Sequence, residues 1–183
     1  MARNMCAPRP HDHSPSASPM TTTASRGTAS KAPAAEYLTF QLGKEEYGID
    51  ILKVQEIRSY EQPTRMAQAT DFIKGIIDLR GVIVPIVDLR LKLQCASAEY
   101  TAFTVVIILN VRGTVMGVVV DAVADVVALT QDAIKPAPQF QSQLDAAFVT
   151  GIARMGERML IMMDIESLLD SAEMGLVAQI ARQ

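Results

Sequence analysis

Histidine, cysteine and paired carboxylates build most catalytic and metal sites, and in this sequence few of them stand where they could act together. The two histidines, His11 and His13, lie close to the N-terminus in a polar stretch. Cys6 and Cys95 have no spacing typical of a metal site or a disulfide framework. There is also no glycine-rich loop with a lysine that could hold phosphate. The sequence therefore predicts a protein that is not an enzyme and has no cofactor or metal.

Charge and aromatic content argue against nucleic acid as a partner. The 183 residues carry a net charge of −3. Four basic residues against one acidic residue make residues 1–33 about +3, which leaves about −6 for residues 34–183. Phosphate binding needs clustered Lys and Arg, and binding of single strands needs stacking rings, whereas aromatic residues make up 5% of this chain.

The first 33 residues are rich in Ser, Thr, Pro and Ala, a composition typical of a disordered tail. After them, the longest apolar stretch runs from Val115 to Leu129 and is interrupted by Asp121 and Asp125. No stretch reaches the roughly 18 to 20 apolar residues that a spanning helix needs. With no apolar segment of the signal-peptide kind either, we expect a soluble cytoplasmic protein without membrane insertion.

From Tyr37 onward, short runs of Val, Ile and Leu alternate with turn residues, which indicates an all-β fold. The predicted hairpin turns are at Gly43-Lys44, at Arg112-Gly113 and at Arg80-Gly81. The predicted strands are Tyr37–Leu42, Tyr47–Ser59, Ile76–Leu79, Val82–Val87, Thr104–Val111, Val115–Leu129, Val149–Met155 and Arg158–Met163. A helix, bent or in two parts, is expected over residues 167–183, where apolar residues recur at helical spacing.

The two halves of the sequence repeat each other. Gly48, Val54, Glu56 and Ile57 are matched 69 positions later by Gly117, Val123, Asp125 and Val126. Phe72, Gly75, Ile76 and Asp88 are matched 76 positions later by Phe148, Gly151, Ile152 and Asp164. The seven extra residues fall near 130–145, where two prolines indicate a loop. A duplicated β unit of this size predicts two small barrels.

We therefore expect a disordered tail at 1–33, a first barrel at 34–94, a second barrel at 95–166 and the C-terminal helix. One departure from the repeat stands out. The first half has Leu79-Arg80-Gly81 at a turn where the second has Met155-Gly156-Glu157. Arg80 is thus not required by the fold, which leaves two interpretations, a functional charge or a solvated turn residue.

With 49% hydrophobic residues, two barrels of this size cannot bury all of their apolar surface. Exposed apolar patches on a domain usually mark surfaces for partners, and edge strands are natural docking sites. The composition therefore favours protein binding as the function.

Two long segments are informative as whole motifs: Phe72–Leu89, which reads FIKGIIDLRGVIVPIVDL, and Glu46–Ile57, which reads EYGIDILKVQEI. Both closely resemble the CheW family of chemotaxis coupling proteins. The resemblance continues through IKPAP at 134–138 and Asp164-Ile165, and covers residues 36–175 as a single domain. It implies two SH3-like five-stranded barrels packed together.

The resemblance also implies a role. Proteins of this family are adaptors that join the cytoplasmic tips of chemoreceptors to the regulatory domain of the histidine kinase CheA, in arrays at the membrane. On this chain the family's receptor-binding residues correspond to Val54, Glu56 and Arg80. The family's kinase-binding residues correspond to Lys135 and Phe140.

Two other functions remain open from the sequence. A module of the same fold could bind the kinase as a regulator or decoy without coupling it to receptors. A small-ligand-binding barrel is a more distant alternative, which requires a roomy cavity, whereas the dense pattern of Val, Ile and Leu predicts filled barrels.

Overall fold

The computed structural model describes residues 33–67, 69–95, 98–137 and 148–169, together with residues 175 and 179. Strands dominate this part of the chain. The strands are β1 Ala35–Leu42, β2 Glu45–Asp50, β3 Val54–Ser59, β4 Ile73–Leu79, β5 Val82–Asp88, β6 Val105–Val111, β7 Thr114–Val120, β8 Ala122–Leu129, β9 Ile134–Lys135, β10 Val149–Met155 and β11 Arg158–Met163. The helices are α1 Leu89–Lys92 and α2 Ile165–Leu169, with 3₁₀ turns at Ile51–Lys53 and Gln131–Ala133.

The strands form two sheets, which confirms the all-β fold. One sheet has the order β3-β6-β7-β5-β4 and is built from the continuous stretch 54–120. We call it the central barrel. The other has the order β8-β1-β2-β11-β10-β9 and combines residues 35–50 with residues 122–163. We call it the terminal barrel; it has a sixth strand because of the two-residue β9.

The repeat in the sequence is also a repeat in hydrogen bonding. In the terminal barrel β2 runs parallel to β11, with Gly48 opposite Met162. In the central barrel β7 runs parallel to β5, with Gly117 opposite Ile86. Both pairs of positions are related by the offsets read from the sequence, 69 for the glycines and 76 for their partners.

The boundary predicted between residues 94 and 95 does not separate the two sheets. Hairpin β1–β2 precedes that boundary but lies in the terminal barrel, and hairpin β6–β7 follows it but lies in the central barrel. Each repeat therefore gives its first hairpin to the barrel that contains the remaining strands of the other repeat. The pattern of apolar residues within each strand carries no information on this exchange, because it is the same in either arrangement.

Two predicted strands are in fact broken where the chain crosses between the barrels. The predicted strand over 47–59 stops at Asp50, whose carboxylate accepts a hydrogen bond from the Leu52 backbone N–H (2.9 Å) and starts a 3₁₀ turn. The predicted strand over 115–129 is interrupted at Asp121, whose backbone N–H donates to the Gln41 carbonyl (3.1 Å). An aspartate side chain that competes for backbone hydrogen bonds explains the first break.

Three clusters of buried side chains form the core. One fills the central barrel and includes Val84, Ile86 and Ile108. A second fills the terminal barrel and includes Leu160 and Met162. The third and largest draws on strands of both sheets, such as β1 and β6, together with both helices. Because barrel interiors are occupied by fully buried side chains, the prediction of filled barrels is consistent with this packing.

The C-terminal helix is described only in part. Residues 165–169 are helical, as are residues 175 and 179, while the rest of the predicted helix 167–183 lies outside the described residues. The predicted tail 1–33 is outside them too, except for residue 33. No helix in the described part of the chain is long and apolar enough to cross a bilayer.

Candidate functional site

The structure brings Glu56 and Arg80 together. Glu56 lies on β3, at one edge of the central sheet, and Arg80 lies in the turn between β4 and β5, near the other edge. The Arg80 Nη2 atom donates to Glu56 Oε2 at 3.0 Å. The ion pair therefore links the two edges of the sheet across the closure of the barrel.

The turn that carries Arg80 has an uncommon backbone. Arg80 has φ of 53° and Gly81 has φ of 86°, so both central residues of the hairpin turn are left-handed. Two such residues are what a type I′ turn requires, and Asn-Gly is the preferred sequence for it. The Gly81 backbone N–H also donates to Asp78 Oδ1 (2.6 Å). The turn therefore presents the Arg80 side chain outward, and 77% of that side chain is exposed.

Exposed apolar residues lie close to Glu56 and Arg80 in the sequence. Ile57 follows Glu56 on β3, and Val82 and Ile83 follow the turn on β5; their exposed fractions are 44%, 49% and 41%. Val54, half-buried, begins β3 and pairs with Leu109. We call Val54, Glu56, Arg80 and Val82 the docking surface. Ile57 and Ile83 directly follow Glu56 and Val82 on their strands and so point to the opposite face of the sheet. Exposed apolar side chains beside charged ones often mark a surface for a protein partner.

Only one of the two carboxylate oxygens of Glu56 has a hydrogen-bond partner among the described residues. Its Oε1 atom is buried and has no hydrogen-bond partner among the described residues, whereas Oε2 binds Arg80. A buried carboxylate oxygen without a donor is costly, and such groups often await a partner. The arrangement suits a surface that is completed by another molecule.

The terminal barrel has no equivalent of the Glu56–Arg80 pair among its described residues. The counterpart of Arg80 is Gly156, with φ of 61°, which confirms that the fold does not need an arginine there. The counterpart of Glu56 is Asp125, whose side chain accepts from the Val126 backbone N–H (2.8 Å). Instead, Arg158 binds Glu46 through both nitrogens Nε and Nη2. Met159, next to Arg158 in the chain, is 60% exposed.

Lys135, one of the two residues proposed to bind the kinase, lies in a different barrel from the docking surface. Lys135 lies on β9, at the edge of the terminal barrel, where it is exposed and pairs with Ile152 of β10. Its counterpart in the first repeat is Thr64, which bridges Ile76 in the same way. Phe140 lies outside the described residues.

Sequence reasoning missed a buried ionic cluster around Arg90 of α1. The Arg90 guanidinium is fully buried; it binds both oxygens of Asp88 (3.0 and 2.8 Å) and Asp121 Oδ1 (2.9 Å). Burial disfavours the charged guanidinium, but the hydrogen bonds to Asp88 and Asp121 outweigh it and raise the pKa of Arg90. The Tyr100 hydroxyl donates to Asp88 Oδ2 (2.9 Å), and burial together with this bond raises the pKa of Tyr100.

We interpret this cluster as structural, since the side chains of Arg90 and Asp88 at its centre are fully buried. A signal for part of it was present in the sequence. Asp88 and Asp164 each stand at the end of a strand, where an aspartate can accept backbone N–H bonds from the chain that follows. Arg90 N–H donates to Asp88 (3.0 Å) and Glu166 N–H to Asp164 (2.9 Å). The side-chain partners could not be read from the sequence.

No metal site is found in the described part of the chain. No group of three or more His, Cys, Asp or Glu side chains is close enough to hold a metal ion there. A pocket of about 460 Å³ is lined by the segment between β3 and β4, including Arg65 and Asp71, and by Leu91 of α1. It lies outside the buried clusters that fill the barrels, which gives no support to a small-ligand barrel.

Comparison with known proteins gives a consistent result. The CheW-like domain family matches residues 36–173. The chain is 56% identical over 147 residues to the chemotaxis protein CheW of Klebsiella aerogenes, covering 80% of this chain and 89% of that protein. It is 36% identical over 138 residues to a probable chemotaxis protein CheW of Rhizobium etli, covering 75% of this chain and 89% of the relative.

A solved structure shares the fold. The scaffolding protein TtCheW from Thermoanaerobacter tengcongensis superposes with a TM-score of 0.71 at 31% identity, over 76% of this chain and 95% of that one. Identity at this level over nearly all of the solved chain indicates a common arrangement of both barrels.

Proposed function

This chain belongs to the CheW-like domain family, and from that premise we propose that it is a non-catalytic adaptor which couples chemoreceptors to the histidine kinase CheA. Relatives named chemotaxis protein CheW and a structure described as a scaffolding protein support the role of a chemotaxis scaffold. The observation that carries the finer proposal is the Glu56–Arg80 ion pair on the docking surface.

Binding alone can explain the mechanism. A receptor tip is a helical bundle, and an amphipathic helix can lay its apolar face beside the turn, against Val82, while polar groups meet the ion pair at the rim. Arg80, largely exposed, is placed to meet a carboxylate or a carbonyl oxygen of the receptor. Glu56, held by Arg80, sets the direction of the guanidinium. Val54 contributes apolar contact at the start of β3.

The kinase is assigned to a different part of the molecule. Lys135 is exposed on the edge strand of the terminal barrel, where the regulatory domain of CheA can dock without covering the receptor surface. Phe140 belongs to the same proposed contact. Separate surfaces on two barrels let one chain hold both partners, which is what coupling requires, and would recruit it to receptor arrays at the membrane.

The deciding experiment is a pull-down with receptor cytoplasmic fragments and with CheA, singly and together. We expect wild type to bind each partner and to raise receptor-controlled kinase autophosphorylation. Arg80→Asn should lose receptor binding and keep kinase binding, because asparagine accepts the left-handed backbone of the turn.

Arg158→Gln is the matched control, since it breaks another surface Arg–Glu pair, in the other barrel. Equal loss of receptor binding in both variants would overturn the assignment of the docking surface. Kinase binding by wild type without receptor binding, or lowered autophosphorylation, would instead indicate the regulator or decoy of the same fold.

A further inference from the structure

The strand that carries Val54 and Glu56 is weakly held within its own sheet. β3 is an edge strand, and β6 is its one ladder partner among the described residues. Its register shifts between Val54 and Glu56, so that Gln55 has no partner residue opposite it. A bulge of this kind disrupts the ladder locally and bends the strand. The start of β3 therefore needs support from outside the sheet.

That support comes from Glu166, more than a hundred residues away in the sequence. Glu166 lies in α2, and its Oε1 atom accepts a hydrogen bond from the ammonium of Lys53, the residue immediately before β3. Its Oε2 atom accepts from Nε (2.9 Å) and Nη2 (2.8 Å) of Arg112, in the turn that ends β6. One carboxylate thus ties together the same end of β3 and of its ladder neighbour β6.

The carboxylate itself is oriented by the start of α2. Asp164 accepts from the Glu166 backbone N–H (2.9 Å) through Oδ1 and from the Ser167 hydroxyl (2.7 Å) through Oδ2. About a quarter of the Glu166 side chain and a third of the Lys53 side chain remain exposed. The hydrogen bond to Lys53, and then the one to Arg112, lower the pKa of Glu166, so it stays ionised near neutral pH.

The other repeat has the same joint with its charges reversed. There the helix residue at the equivalent position is Arg90, and it binds Asp121 (2.9 Å), next to the start of β8. Asp121 in turn accepts from the Gly43 backbone N–H (2.7 Å), in the hairpin turn equivalent to that of Arg112. Both joints therefore connect a helix, a crossing between barrels and a hairpin turn. Only the joint formed by Glu166 stands beside the docking surface.

We infer that Glu166 is a positioning residue for receptor recognition, which fixes the start of β3 through Lys53 and Arg112 without touching the receptor. The inference rests on the proposed function, in that the bound molecule is the receptor tip. It adds a residue of the second repeat to a surface that otherwise consists of residues of the first repeat.

The experiment compares wild type with Glu166→Lys and with a triple variant in which Lys53→Glu and Arg112→Glu accompany Glu166→Lys. Two quantities are measured, the affinity for a receptor cytoplasmic fragment and the hydrogen exchange of backbone amides in β3. Glu166→Lys should weaken binding roughly two- to fivefold, the effect expected of a partly exposed ion pair, and speed exchange in β3. The triple variant, with all three charges reversed, should restore both quantities.

Two controls are the hydrogen exchange of β8 amides and the variant Arg158→Gln. Both concern the terminal barrel, away from the contacts of Glu166. The inference is overturned if the triple variant fails to restore binding and β3 protection, or if Glu166→Lys loosens β8 as much as β3. If wild type does not bind the receptor fragment, the proposed function fails, while the exchange of β3 amides still decides whether Glu166 positions the strand.

Discussion

Gly117 lies directly opposite Ile86 in the parallel pair of β7 and β5, and a Cβ atom added to Gly117 would come within 2.5 Å of Ile86 Cδ1. The same Cβ would also lie 2.8 Å from Val106 Cγ1. Ile86 and Val106 are buried in the core of the central barrel. Glycine is therefore required here by the close approach of two packed strands, as expected of a glycine inside a strand.

Gly117→Ala should destabilise the protein by roughly 1–3 kcal/mol, the cost of adding a methyl group to a well-packed core. Gly48, its counterpart in the terminal barrel, is the matched control. A Cβ on Gly48 would meet the flexible end of Met162 at 3.1 Å, so Gly48→Ala should change stability by less than about 1 kcal/mol. Urea denaturation measures both, and equal losses would show that the two parallel pairs are packed alike.

Arg90→Met should destabilise the protein strongly. It leaves Asp88 buried and without its cation, and breaking a buried ion pair costs roughly 3–5 kcal/mol. The double variant Asp88→Asn with Arg90→Met removes both charges and should recover part of the loss. Thermal and urea unfolding report the differences; a loss under about 1 kcal/mol for Arg90→Met would mean that solvent reaches Asp88.

Arg80→Asn should leave stability within about 0.5 kcal/mol of wild type. The exposed ion pair with Glu56 contributes little, and Asn-Gly suits the left-handed turn. Arg80→Val is the contrasting variant, because a β-branched residue is strained at positive φ and should lower the midpoint of urea unfolding. A large loss in Arg80→Asn would instead assign Arg80 a structural role.

The stability gained from Glu166 should depend on pH with a definite sign. Because Lys53 and Arg112 lower its pKa below the ordinary 4.5, the folded protein binds this proton less readily than the unfolded chain. The contribution is therefore fully present above pH 4.5 and is lost as the pH falls through the lowered value in the folded protein.

Thermal midpoints of wild type and Glu166→Gln, measured from pH 7 to pH 3, should differ most at the upper end and converge toward the lower end. Arg158→Gln, which keeps Glu166 intact, should show the same slope with pH as wild type. A constant difference between wild type and Glu166→Gln across the range would contradict the proposed linkage.

Much of the fold could be predicted from the sequence, because strands and turns depend on residues that are close together in the chain. The offsets of 69 and 76 gave the equivalence of strands that the ladders show, and turn chemistry located the hairpins at Gly43 and Arg80. The partners of those hairpins could not be predicted. Strand exchange depends on which buried faces meet across the two sheets, and a pattern of alternating apolar residues is the same for either partner.

In the candidate site too, residues could be proposed from the sequence, whereas their contacts could not. Val54, Glu56 and Arg80 came from resemblance to a family, and their assignment to receptor binding remains a prediction, as does that of Lys135 and Phe140. The contact between Glu56 and Arg80 became visible only with the closed barrel. The bond between Lys53 and Glu166 spans 113 positions, a separation at which side-chain pairing leaves no signal in one sequence.

The exchange of hairpins has a consequence for the origin of the molecule. A single repeat of about 70 residues supplies a first hairpin and the strands that follow it, but these belong to different barrels, so one repeat alone completes neither. Two identical half-length chains could complete both by trading hairpins across a twofold axis. Joining the two subunits of such a homodimer end to end would give the exchange of hairpins seen in this chain.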